Sequence, residues 1–75
     1  MNTEQYNRAV NNVRTHLRAV QFTGTESLLN WMVDQCNGVT DDNCERVFAK
    51  MKADEIIVES RDLWVALPEH ADEII

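Results

Sequence analysis

A mainly α fold, three helices closed by a C-terminal two-stranded β-hairpin, is predicted by three features of the chain. These are an apolar stripe at helical spacing near the start, a Gly-Val-Thr break at Gly38 to Thr40 followed by a second apolar ladder, and two β-prone runs split by a turn before Pro68. Tyr6, Val10, Val13, Leu17 and Val20 are spaced 4, 3, 4 and 3 residues apart, which puts them on one face of a helix over Thr3 to Val20. Thr3 and Glu4 suit its start, and its far side carries Arg8, Arg14 and Arg18.

Gln21 to Gly24 breaks that pattern. Thr23 or Thr25 is expected to cap a second helix, Thr23 having Glu26 three residues on, as a capping box requires. Leu28, Leu29, Met32, Val33 and Cys36 share one face of this helix, which is expected to reach Asn37 and to end at Gly38. Thr40 is the expected N-cap of a third helix over Asp41 to Ala53, with Val39 as a hydrophobic staple on Cys44. Asp41 and Asp42 then sit where the helix dipole favours negative charge, and Cys44, Val47, Phe48 and Met51 form the buried face.

The runs Glu55 to Glu59 and Leu63 to Leu67 are rich in Ile, Val, Leu and Trp, and Ser60 with Arg61 is expected to make a tight turn between them. That turn pairs Val58 with Leu63 and Ile57 with Trp64. Ile56, Val58, Leu63, Val65 and Leu67 then take one side of the ribbon, and Ile57, Trp64 and Ala66 the other. The expected organisation is one domain over residues 1–67 and an acidic tail over residues 68–75.

The net charge of -6 opposes approach to phosphate backbones. Cys36 and Cys44 are eight positions apart and belong to no Cys-x-x-Cys pair, which predicts reduced core thiols and no zinc site. No apolar run approaches the roughly 20 residues of a membrane span, and no basic or apolar leader opens the chain, so a cytoplasmic protein without a membrane partner is expected. His16 and His70 stand in no spacing with Ser, Cys or paired carboxylates that would make a nucleophile and base. Glu69, His70, Asp72 and Glu73 make a poor metal site on a tail, and there is no glycine-rich phosphate loop. A non-enzyme without a cofactor or metal is the expectation.

The order helix, helix, Gly-turn, helix and hairpin over Leu28 to Leu67 resembles the winged helix-turn-helix superfamily. The residues that carry the resemblance are Gly38, Val39, Thr40, Cys44, Val47, Phe48, Met51, Ile56, Ile57 and Val58. It implies that the third helix and the wing would meet DNA. The matching positions, however, hold Asp41, Asp42, Asn43 and Arg46, and the two carboxylates beside Asn43 and Arg46 would repel phosphates.

The leading expectation is therefore a regulatory adaptor or inhibitor acting by protein contact, possible targets including a nucleic-acid-processing partner. Its contact candidates are Asp41, Asp42, Glu45, Trp31, Ile57 and Trp64, because acidic side chains suit a basic partner and aromatic residues anchor interfaces. The bland account of Asp41 and Asp42 is helix capping. The alternative is a dimeric, sequence-specific transcription regulator using Arg8, Arg14, Arg18, Asn43, Arg46, Lys50 and Arg61. Monomer and homodimer are both open, and the small size is compatible with a viral or mobile-element accessory protein.

Overall fold

The computed structural model describes residues 1–75, as four helical segments and a three-stranded antiparallel sheet. Helix α1 spans Thr3–Val20, as its apolar spacing predicts. Its cap lies one residue earlier than expected. Asn2 Oδ1 accepts from Gln5 N at 2.8 Å and Gln5 Oε1 accepts from Asn2 N at 3.1 Å, a reciprocal pair that satisfies two otherwise orphaned amides. Val10, Val13 and Leu17 are buried, whereas Val20 at the helix end is exposed.

Gln21 ends α1 at φ 71° and ψ -52°, a tight and strained conformation for a residue with a side chain. It turns the chain directly into strand β1, Phe22–Gly24. The expectation of a plain break is corrected here, because three residues are too few to show a strand's alternation but enough to pair with a neighbour.

Helix α2 spans Thr25–Gln35, two residues shorter than expected. Neither threonine caps it: Gly24 is the N-cap and offers no side chain, while the Thr25 hydroxyl is given to Glu59. Leu28, Met32 and Cys36 are buried, and Leu29 and Val33 pack against the core at its edge.

Helix α3 spans Cys44–Ala53, so Asp41 and Asp42 lie in the turn before it and not in its first turn. Thr40 still organises that turn. Its Oγ1 accepts from Asn43 N at 3.3 Å, and Asn43 Oδ1 accepts from Thr40 N at 2.8 Å. Val47, Phe48 and Met51 are buried as expected, and Cys44 is partly so. The helix closes with Glu55 N donating to Lys52 O and Ile56 N to Met51 O, a Schellman arrangement in which Glu55 takes the left-handed position at φ 60°.

Strands β2, Val58–Glu59, and β3, Trp64–Ala66, form the hairpin, and β1 adds to the other side of β3 to give the order β1-β3-β2. The predicted register is wrong. Val58 pairs with Ala66 and Glu59 with Val65, because the connection is the four residues Ser60 to Leu63 and not Ser60 and Arg61 alone. Ser60 N donates to Trp64 O, Leu63 N to Ser60 O, and Trp64 N to Ser60 Oγ, and Leu63 takes φ 64°. The partner of Val58 thus moves by three positions. An odd slip exchanges the sides of one strand relative to the other.

Ile57 therefore joins Val65 and Leu67 in the core, at 2% exposure, and is not an outward residue. Val58, Ala66 and Trp64 share the opposite side with Phe22 of β1, which lies across from Ala66. The acidic C-terminal segment winds into a 3-10 helix over Pro68–Glu73 that packs on β2 and β3. No helix is long and apolar enough to cross a membrane.

Candidate interaction surfaces

The turn leading into α3 is held by backbone groups, the Thr40 hydroxyl and the Asn43 amide. Asn43 Nδ2 donates to the Gly38 carbonyl at 2.9 Å while its Oδ1 serves Thr40, so both polar atoms of the amide are engaged inside the turn. Gly38 has φ 91°, a conformation that favours glycine, and a Cβ there would also crowd the end of the Gln5 side chain at 3.0 Å. Asp41 and Asp42 do not cap α3 through side-chain hydrogen bonds, although they lie just before its N-terminus, where the helix dipole favours negative charge. Their carboxylates, and that of Glu45, are exposed and make no hydrogen bond or ion pair within the chain.

Of the cationic and amide candidates, three are engaged internally. Arg8 pairs with Glu4 one turn away on α1, Lys50 with Asp54 at 3.2 Å, and Asn43 within its turn. Arg14, Arg18, Arg46 and Arg61 have no carboxylate within 4.0 Å. The structure does not gather these four into one site, since they sit on α1, on α3 and at the hairpin tip.

The two tryptophans differ. Trp31 stacks on His16 with ring centroids 4.1 Å apart and an interplanar angle of 14°, which joins α1 to α2 and leaves the indole half-buried. Trp64 is 44% exposed and meets Phe22, itself 40% exposed, edge to face at 5.5 Å. Leu63, next to Trp64 in the chain, and Val20, two residues before Phe22, are exposed as well. Phe22 was not legible as a candidate, because its strand was not; an aromatic residue two positions past a helix end is the one signal it left.

Two carboxylates, both outside the sequence-based candidates, tie the elements together. Tyr6 Oη donates to Asp54 Oδ2 at 2.7 Å, and Lys50 Nζ reaches the same oxygen while lying 4.8 Å from the Tyr6 ring centre. Burial, helped by the Asp54 carboxylate, pushes the Tyr6 hydroxyl up to about 12, and the Tyr6 hydrogen bond, with Lys50, holds Asp54 below its ordinary range. Glu59 accepts from the Thr25 hydroxyl on one oxygen and from Lys52 Nζ at 2.9 Å on the other. The Thr25 hydrogen bond, then Lys52, lowers the Glu59 carboxyl against the opposing effect of its burial. Burial pushes the Cys36 thiol up, so it stays protonated in the core.

An open cleft of about 480 Å³ lies between the start of α1 and the outward side of α3, lined by Tyr6, Asn7, Asn43, Arg46, Val47 and Lys50 among others. No three His, Cys, Asp or Glu side chains converge as metal ligands would. No protein-family model, no curated protein and no solved structure matches this chain.

Proposed function

We propose that the chain is a winged-helix-like, non-enzymatic regulatory module of the cytoplasm that works by contact with another protein. The observation that carries this reading is the exposed Phe22–Trp64 pair on the outer side of the sheet. Water-exposed aromatic pairs are unfavourable in isolation, and aromatic residues dominate the energetics of protein interfaces. The carboxylates of Asp41, Asp42 and Glu45 add a second feature, since, bound to nothing within the chain, they offer charge to a basic partner. The element order helix, strand, helix, helix, strand, strand is compatible with the winged-helix resemblance.

Affinity capture from extracts of the source cells tests the proposal, with the parent compared to Trp64→Ala and to the double variant Asp41→Asn, Asp42→Asn. A protein recovered by the parent and lost with either variant, the variants remaining folded, supports it; identical recoveries reject it.

DNA binding is the second reading, favoured by the four arginines that lack carboxylate partners. It predicts a complex whose log affinity falls with log salt by about 0.9 per phosphate contact. Absence of any salt-sensitive complex with genomic fragments removes it.

A further inference from the structure

The cleft between α1 and α3 has the size of a small-ligand site, for which roughly 300–1,000 Å³ is usual. Its apolar lining is Met1, Val47 and the Tyr6 ring, and its polar lining includes the amides of Asn7 and Asn43 and two cationic side chains, Arg46 and Lys50. Asp54 is the one carboxylate in the lining. Tyr6 and Lys50 already bind it, and it lies beyond 4.0 Å of the Arg46 guanidinium. Arg46 thus lines a cavity unpaired in a chain with 13 acidic and 7 basic side chains.

The surroundings of Arg46 are fixed in advance. Lys50 is held over the Tyr6 ring and on Asp54, and both polar atoms of the Asn43 amide are bonded. A guest would therefore order chiefly the exposed, unpaired Arg46 side chain on entering. The planar guanidinium fork matches a carboxylate or a phosphate in two parallel hydrogen bonds. Size selects between small and large anions. A polyanion meets the field of the whole molecule, net charge -6, whereas a single anionic group seated on Arg46 is screened from charges more than about 8 Å away at physiological salt.

We propose that this cleft binds a small organic anion, with its carboxylate or phosphate on Arg46 and its apolar or ring-bearing body against Val47 and Tyr6. The site is separate from the outer side of the sheet, sharing no lining residue with it.

Backbone amide spectra of the full chain, titrated in parallel with benzoate, adenosine monophosphate and inorganic phosphate, test this. Saturable shifts confined to residues 2–7 and 43–54 are expected with benzoate, with the nucleotide or with both, the tighter of the two showing whether carboxylate or phosphate is preferred, and inorganic phosphate alone should bind more weakly. Arg46→Gln should weaken the tighter probe about tenfold or more, and Arg61→Gln, at the hairpin tip, should leave it unchanged. Arg46 is exposed, so its variant keeps the fold, which the unshifted remainder of the spectrum verifies. Non-saturable shifts with all three probes, equal binding by Arg46→Gln, or equal weakening by Arg61→Gln overturns the proposal.

Discussion

Side chains of similar hydrophobicity on the two sides of the three-stranded sheet meet different fates. Ile57, Val65 and Leu67 face the helices and are almost wholly buried, while on the other side Phe22 and Trp64 stay more than a third exposed around a buried Ala66. Hydrophobicity does not separate the two sets; register does. A four-residue connection at Ser60 to Leu63 decides which residues close the core and which remain for a partner.

Truncation should break this comparison most sharply at Ile57. Ile57→Ala should cost about 2–5 kcal/mol in denaturant unfolding, because it leaves a cavity under the sheet, whereas Trp64→Ala should cost about 1 kcal/mol or less. Equal losses would mean that both sides are packed alike.

Glu59 lies at the end of the inner side, where a carboxylate joins α2 to α3 through Thr25 and Lys52. Glu59→Gln should cost about 1–3 kcal/mol at pH 7. Its folded pKa is depressed, so the contribution is present above the unfolded value of about 4.5 and is lost as pH falls through the folded one. The gap between parent and variant should therefore close in acid; a gap that persists at pH 2 would assign the loss to packing.

Asp54 uses the same kit, one hydroxyl and one lysine, at a more exposed place between α1 and α3. Here the alkaline limb is informative. The folded Tyr6 pKa is raised to about 12, so its stabilisation is complete below pH 10 and disappears between about 10 and 12. Tyr6→Phe should unfold more readily than the parent at pH 9, and the difference should vanish by pH 12.

How much of this was legible follows from the range of the interactions. The helices rest on local spacing, so α1 is found at its predicted limits and the buried faces of α2 and α3 largely agree. Gly38 was legible because a positive φ has few occupants. The hairpin was legible as two runs but not in register, since Ser60 to Leu63 contains no glycine or asparagine to announce its turn. Strand β1, the Glu59 link and the Tyr6 to Asp54 bond join residues 34 to 48 positions apart or rest on a three-residue pairing, for which no local pattern exists. The surface candidates fared unevenly for the same reason: Trp64 is exposed, while Ile57 moved inside with the register and Asn43 is spent on its turn.

The smallest effect sharpens the turn argument. Glu55 ends α3 with a side chain in the left-handed position, so Glu55→Gly should raise stability by up to about 1 kcal/mol. A loss would place another duty on that side chain.

Hydroxyl-radical footprinting of the free chain and of the chain in source-cell extract reads out whether register buries Ile57 and presents Phe22 and Trp64 to a partner. Labelling of Phe22 and Trp64 but not Ile57 in the free chain, with protection of the two aromatics in extract, is the predicted result. Labelling of Ile57 in the free chain, or aromatics labelled equally with and without extract, would contradict it.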